Sequence, residues 1–515
     1  MAAETPKQAL KRRLAKMRRD LDMRGPFINE VYRLAMPHRD RVGATKSTPM
    51  SEEEIQDILD TTFSETIDDF ASDMIATFTP QHEPWVKHEP TKALDQAMRK
   101  KASDQIKSAI DWFWEDVEAS NYYDAADECF HDLAAGTMAM RLREYGAAQP
   151  LCYEPIPTAS LLIDLGPDKA PDARFAQAKV EKRIIQATYG AWIDWSQLPK
   201  ELASSFKNAK DEQGFEIADG VHRIFDKPGV TQWRRVVTMQ GEIIYEKMFD
   251  ENGATNVFVA RWRAESNSAY GIGPGWWACA PARVLTELNA LVLAQMHNVV
   301  DPAHAYSDPD GGANLEQGIG AGDYLQLGEG FNIEKLSGDG EFQAAFYSRE
   351  DLRMMIKSAL YQDKPFQRGD TPPSATQWAD ESARAQQRWE IPRGKIYREW
   401  VMPIVVAHQW QRTQHGVFPK IDIGSSAVTL KPQSPQAKAR SFEKVTKAER
   451  VLSAAALPAL QQQAPIVIDA QGTIDNIKRE IGDDLVVVRT PEQVQQVVQQ
   501  AADMAQQQQQ QEQPQ

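Results

Sequence analysis

The sequence predicts an α+β protein, several sub-structures organised around a pair of hydrophobic helices. Through most of the first 142 residues, apolar side chains recur at helical spacing. Between residues 150 and 263 the pattern changes to short β-branched or alternating runs bounded by Gly, Pro and Asp, which reads as a largely antiparallel β region. Two apolar helical runs follow, 282–300 and 342–360, with a Gly/Asp/Pro-rich segment between them and a polar loop after them. A chain of 515 residues exceeds one small core, so roughly two to four sub-structures are expected.

The N-terminal elements come first. Residues 7–24 place Leu10, Leu14, Met17 and Leu21 on one helical face, with Lys11, Arg12, Arg13, Lys16, Arg18 and Arg19 around the rest. This reads either as a solvated amphipathic helix or as a basic surface for nucleic acid or an acidic partner. Gly25-Pro26 predicts a break, and a second helix over 27–36 stops at Pro37. Ser51 with Glu54 has capping-box spacing. Residues 61–78 then put Phe63, Ile67, Phe70, Met74 and Phe78 on one face. Trp85, in a Pro-bounded loop, is expected to wedge onto a core. Helices are expected over 93–120 and 122–142, with Gly136-Thr137 marking a close helix contact.

The β region is expected to include strands over 177–188, 220–225, 232–239, 242–249 and 256–262, a hairpin turn at Gln240-Gly241 and an amphipathic helix near 192–209. The glycines of 270-YGIGPGWW-277 fit neither nucleotide-loop pattern, so they read as the entry to the next helix, anchored by Trp276 and Trp277. In the helix 282–300, Leu285, Leu288, Val292, Met296 and Val299 make a stripe that Val284 and Leu291 widen. That width suits packing against neighbours on two sides. Its polar positions Glu287, Gln295 and Asn298 are candidates to face a bore. The segment 302–341 contains short strands at 324–327 and 331–335, with Tyr306, Tyr324, Leu327 and Phe331 as candidate contacts to a neighbouring subunit or adaptor. Phe346, Leu352, Met355 and Ile356 are expected to be buried on the second helix. The loop after it carries Lys364, Gln367, Arg368 and Asp370, which reads either as a surface turn or as a projection brushing phosphates. Residues 376–414 form a long helical stretch interrupted near Pro392 and Pro403, with Trp378, Trp389, Trp400 and Trp410 on roughly one face. A strand over 420–431, helices over 434–463, 474–481 and 491–504, and a disordered Gln-rich end complete the chain.

Composition narrows the function. The formal net charge of −15 disfavours a protein that coats phosphates, though it suits a wall past which a duplex slides. Three cysteines, Cys129, Cys152 and Cys279, imply neither a disulfide framework nor a zinc knuckle and fit an intracellular assembly site. The first residues are too charged for a secretory signal, and no apolar run approaches the ~18–20 residues of a membrane span. No cofactor or metal site is expected. His82, Glu83 and His88 lack an H-E-x-x-H arrangement, and Asp308 and Asp310 lack the closing Glu of a calcium loop. They are the only residues on which a hydrolase reading would rest.

Several stretches resemble one family: FINEVYRLAMPHRD, MIATFTPQHEPWVKHEP, DLAAGTMAM, PLCYEPIP with its LLID continuation, and YGIGPGWWACAPARVLTELNALVLAQMHNVVDPAH. Across residues 20–430 the chain resembles the portal, or head-to-tail connector, proteins of T7-like short-tailed bacteriophages. The resemblance rests on apolar, Gly and Pro positions, so it identifies architecture better than chemistry. It implies a portal fold with an α/β wing, a two-helix stem, a small α/β clip and a helical crown. By position these are a basic N-terminal helix (1–24), wing (25–274 and 377–430), stem (275–301 and 342–361), clip (302–341), channel loop (362–376), crown (431–500) and tail (501–515). It further implies a non-enzymatic homo-oligomeric ring, usually a dodecamer, at one capsid vertex of the virion, assembled in the host cytoplasm. Its implied partners are double-stranded DNA, the terminase packaging motor, a tail adaptor, and the major capsid and scaffolding proteins, with no membrane. The alternative is a monomeric helical scaffold or adaptor, against which two broad apolar helices argue, since a monomer would expose them.

Overall fold

The computed structural model describes residues 6–43, 58–81, 85–90, 111–143, 151–196, 198–224, 232–249, 255–266, 268–307, 324–327, 334–335, 342–362, 390–418, 428–432, 445–453, 473–474 and 477. They fall into two compact units. One holds 1–84 and 88–430, the other 85–87 and 431–515. Helix and antiparallel sheet are mixed in the first unit, as an α+β protein requires. In the second, Trp85 is buried and residues 445–453 are helical.

The first helix (α1) runs unbroken over Pro6–Ala35 with Pro26 inside it, where the sequence predicted two. A mid-helix proline costs about 3 kcal/mol. Burial of Leu10, Met17 and Leu21 before it, and Ile28, Val31 and Tyr32 after it, fixes both halves to the core and offsets that cost. Gly25 lets Val42 approach: a Cβ there would lie 3.0 Å from its Cγ1. The basic face is occupied within the chain. Lys7 and Lys11 reach Glu242, Arg13 and Lys16 grip Asp164 at 2.8 Å each, and Arg24 pairs with Glu265 at 2.7 Å. The acidic partner of this helix is its own chain.

Helix α2 (Thr62–Phe78) buries the five apolar residues its spacing selects. The expected helix over 93–120 is helical at 111–119, and its earlier part lies outside the described residues, as does the capping pair Ser51 and Glu54. Helix α3 (Tyr122–Ala135) ends seven residues early, at Gly136, and Thr137–Arg143 is a strand (β1). Gly136 has φ +125°, which stops a helix at little cost only for glycine. Strand β1 is the centre of a three-stranded antiparallel sheet, flanked by β2 (Cys152–Pro155) and the strand Val257–Arg261.

The second sheet has five antiparallel strands in chain order: β3 (Leu161–Leu165), β4 (Pro171–Glu181), β5 (Gly214–Ile224), β6 (Gln232–Met239) and β7 (Glu242–Phe249). Gln240 and Gly241, both at positive φ, make the predicted hairpin turn between the last two. Asp164 and Glu242 belong to its two edge strands, so α1 is tied to both edges of one sheet. The expected strand over 177–188 converts at Lys182 into helix α4 (Lys182–Tyr189). A second helix, α5 (Lys200–Asn208), follows. Ile185, Tyr189 and Phe206 from this pair pack on Phe215, Ile217, Val237 and Met239 of the sheet. Arg141 joins the two sheets, donating to Glu154 at 2.8 Å and to the buried Asp219 at 2.9 Å.

Late in the unit, Glu390–Ile396 is α-helical, Tyr397–Val401 is a π turn, and Met402–Gln414 resumes the α-helix. Pro403 lacks an N–H and its ring crowds the carbonyl four residues back. The wider π turn just before it absorbs that conflict where the sequence predicted an interruption. Trp400 is buried, and Trp410 meets Phe249 edge-on at 5.8 Å. Trp378 and Trp389 lie outside the described residues. Of the expected strand over 420–431, Val428–Pro432 is extended. Residues 473–474 and 477 are helical, and the Gln-rich end lies outside the described residues. Among the described residues no helix is long and apolar enough to cross a membrane.

Candidate functional site

Two helices, α6 (Gly275–Val300) and α7 (Phe342–Ala359), pack on each other and form the candidate site. Helix α6 begins seven residues before the sequence predicted and continues through Pro281. Its entry is a backbone-on-backbone contact. A Cβ on Gly136 would sit 2.7 Å from the amide nitrogen of Gly273, and one on Gly273 would sit 2.6 Å from the carbonyl carbon of Ala134. Those glycines exist for close approach to the end of α3, not for phosphate. Trp276 anchors the first turn: its Nε1 donates to the Ala135 carbonyl at 3.0 Å and its ring stacks on Phe27 at 4.8 Å. Trp277, expected to anchor it too, is 66% exposed, because one position along the helix points about 100° away from Trp276.

The root of the helix pair is held by charged clamps. Arg283 of α6 donates to Glu30 of α1 at 2.8 Å. Asp60, just before α2, accepts from Arg353 of α7 at 2.8 and 3.2 Å, from Asn289 of α6 at 3.5 Å and from the Thr62 amide at 2.9 Å. Burial pushes its carboxyl upward, but hydrogen bonds from Thr62 and Arg353 outweigh this and hold it below the usual range. At the end of α7, Gln362 reaches Asp73 at 2.8 Å, and Arg263 donates to the Tyr361 hydroxyl at 3.3 Å. Tyr361 has φ +63° and rests on Trp262, with ring centroids 5.7 Å apart. A cavity of about 180 Å³ sits in this root, lined by Leu34, Phe63, Leu285 and Ile356 with Asp60 and Thr286.

Away from the root the helices are bare. Leu285 and Asn289 are buried, but Val284, Leu293, Met296 and Val299 are exposed, Leu291 is 68% exposed and Val300 85%. Trp277, Val284, Leu288 and Leu291 are separated by seven, four and three residues, a coiled-coil seam on one face. On α7, Ile356 is buried, whereas Met354 and Met355 are exposed, the latter against expectation. Ile356 turns one side of α7 to the core, and a residue one position earlier points about 100° away.

The candidate residues fall unevenly. Glu287 is exposed; Gln295 is half-buried and continues the seam of Leu288 and Leu291, so the two do not share a polar stripe. Asn298 is helical, its side chain outside the described residues. Tyr306, Tyr324 and Leu327 occupy a three-stranded sheet in which His304–Ser307 is central, parallel to Tyr324–Leu327 and antiparallel to Glu334–Lys335. Tyr324 pairs in register with His304, and Leu327 with Ser307. Phe331, Lys364, Gln367, Arg368 and Asp370 lie outside the described residues, as do His82, Glu83, Asp308 and Asp310. Strand Val86–Pro90 includes the backbone of His88. Among the described residues no cluster of three or more His, Cys, Asp or Glu could hold a metal.

Two buried networks escaped the sequence reading. Tyr153 contacts His408 Nδ1 at 2.6 Å, His408 Nε2 contacts Asp116 at 3.2 Å, and Arg412 pairs with the same carboxylate. Tyr–His–Asp resembles a catalytic relay, yet His408 and Tyr153 are fully buried in the core. In the second, the Tyr32 hydroxyl donates to Asp132 at 3.0 Å and Arg39 bridges Asp132 and Glu128. Asp60 was legible in principle, since Asp two residues before the first helical turn is a capping signal. The others join residues up to 296 positions apart, which no spacing reveals.

A helix pair clamped at one end and apolar at the other is suited to association. The sequence matches the family model for bacteriophage head to tail connecting proteins over residues 7–488. The chain belongs to that family. No curated protein matches it. As a head-to-tail connector it is a structural component of the virion, joining capsid and tail components. No enzymatic role follows from this membership.

Proposed function

We propose that this connector is the portal subunit of a short-tailed phage. Copies form a closed ring, a dodecamer by analogy, around a channel for double-stranded DNA during packaging and ejection. Residues 275–301 and 342–361 are the stem, 302–341 the clip, 362–376 the channel loop, 25–274 with 377–430 the wing, and 431–500 the crown. The packaging motor and later a tail adaptor dock at the clip, and the capsid surrounds the wing. The observation that carries this reading is the exposed apolar face of α6 and α7 in a connector chain. A monomer that left Trp277, Leu291 and Val300 in water would carry an aggregation-prone surface.

Charge supports the channel. A formal charge of −15 on every copy keeps phosphates from adhering, and the cations Lys364 and Arg368 in the loop make contacts too few to arrest the duplex. The basic N-terminal helix does not oppose this, because Lys7, Lys11, Arg13, Lys16 and Arg24 already pair with Glu242, Asp164 and Glu265. Light scattering and negative-stain micrographs of the purified chain test the reading. Rings with an opening wide enough for B-form DNA are expected; a stable single copy would favour a monomeric adaptor.

A further inference from the structure

We propose that the seam Trp277–Val284–Leu288–Leu291 of α6 in one copy packs against the Met354–Met355 face of α7 in the next, a heterologous contact. This rests on the ring reading and names the partner surface within it. Three observations carry it. First, each helix spends one face inside its own chain, α6 through Leu285 and Asn289, α7 through Ile356 and Arg353. Each is left with a second apolar face, with Trp277, Val284 and Leu291 exposed and Leu288 half-buried on α6, and Met354 and Met355 exposed on α7. Second, the two free faces differ. One is a branched-aliphatic and tryptophan seam at coiled-coil spacing, the other a pair of methionines, whose flexible thioethers mould to irregular ridges. Unlike faces generate rings, whereas one face meeting itself closes a dimer. Third, the flanking charges are opposite. Glu287 borders the α6 seam and Lys357 borders the α7 face; both are exposed and neither forms an ion pair with another described residue.

Height fixes the register. Asp60 binds Asn289 of α6 and Arg353 of α7 together, so these residues are level within the pair. Rotation about a ring axis preserves height, which brings Leu291 of one copy near Met354 of its neighbour. The test is disulfide trapping in the full-length chain with Cys152 replaced by Ser, since Cys129 and Cys279 are buried. Leu291, Met354 and Met355 are exposed and Cys152 is half-buried, where serine is nearly isosteric, so folding is preserved. On oxidation, L291C/M354C is expected to give a ladder of covalent species beyond the dimer on denaturing gels. L291C alone and M354C alone are expected to remain single chains. A dimer from L291C alone would show the seam meeting itself and overturn the proposal. Absence of a ladder from both L291C/M354C and L291C/M355C, with light scattering still reporting rings, would overturn it while leaving the ring intact. Single copies by light scattering would overturn both.

Discussion

Glu399 accepts three hydrogen bonds from Arg261, from its backbone amide at 3.1 Å and from its guanidinium Nε at 3.3 Å and Nη2 at 2.6 Å. The carboxylate sits on the π turn, and Arg261 ends the strand Val257–Arg261, so the bond fastens the late helices to the three-stranded sheet. Arg261 is almost wholly buried and also donates to the Lys169 carbonyl at 3.1 Å. Lys395, one helical turn before Glu399, is pushed down to about 8 by burial, with Glu399 opposing the shift. Removing one partner of a buried pair strands the other charge. Glu399→Ala is expected to cost about 3–5 kcal/mol, read as a lower urea midpoint. Glu399→Gln keeps one acceptor oxygen, enough for the Arg261 backbone amide but not for Nη2 as well, and should cost less.

Gly136 and Gly273 set the angle at which α6 leaves the core, and neither accepts a side chain. Gly136→Ala adds both a strained positive φ and an overlap with the Gly271–Gly273 backbone. The expected loss is about 3 kcal/mol or more, read as a fall in thermal midpoint or in soluble yield. Gly416 is the control: it too has positive φ, but a Cβ there meets nothing within 4 Å, so Gly416→Ala should cost only the backbone strain.

These glycines show what a sequence discloses. The α2 stripe, the Gln240-Gly241 turn and strands β6 and β7 were legible because local spacing alone determines them. The continuous α1 was not, because burial on both sides of Pro26 overrode a local signal. The length of α3 was misread for a similar reason. Leu133 and Met138 fit a helical face, but Gly136 adopts a conformation dictated by Gly271 and Gly273, more than 130 residues away. At the candidate site, the wide apolar stripe on α6 was visible in the pattern. Which part of it stays bare was not, because exposure is decided by Asp60, Glu30 and Ile356, on three other elements.

Two buried groups give the stability opposite dependence on pH. Burial pushes the Asp132 carboxyl up to about 6, against the pull of Arg39 and the Tyr32 hydroxyl. Its folded value therefore lies above its unfolded value near 4. The native state holds the extra proton, so this contribution favours folding below pH 4 and is lost as pH rises from 4 to 6, a change of about 3 kcal/mol. His408 runs the other way. Burial lowers it, with Asp116 opposing, so its contribution is full above pH 6.5 and lost as pH falls below it. Asp132→Asn is expected to steepen the loss of stability on acidification between pH 6 and 4. His408→Gln is expected to flatten it, at lower stability overall. Chemical denaturation at half-unit pH steps checks both slopes.

Leu291 offers a separation of folding from assembly. It is 68% exposed in the single chain, so Leu291→Asp should leave the unfolding free energy of isolated chains within about 0.5 kcal/mol of the parent. Burying a leucine side chain is worth about 1.5–3 kcal/mol, and a charge there would add a desolvation cost. The concentration needed for assembly is therefore expected to rise at least tenfold per contact. Light scattering across a dilution series measures it. An unchanged assembly curve would remove α6 from the contact.

Asp60 should matter to the helix pair more than to the rest of the fold. It hydrogen-bonds side chains of both α6 and α7, and its loss leaves Arg353 with Glu350. Hydrogen bonds to a charged group are each worth about 1.5–3 kcal/mol, partly screened here because Arg353 is a third exposed. Asp60→Ala is expected to lower global stability by about 2 kcal/mol. Amide hydrogen exchange should accelerate selectively over residues 350–360, while strands β4 to β6 keep their protection. Uniform acceleration across the sheet would mean that Asp60 supports the whole core instead. Asp60→Asn separates charge from shape: it preserves an acceptor for the Thr62 amide but weakens the hold on Arg353. A result close to Asp60→Ala would assign the effect to the ion pair, and one close to the parent would assign it to the helix start.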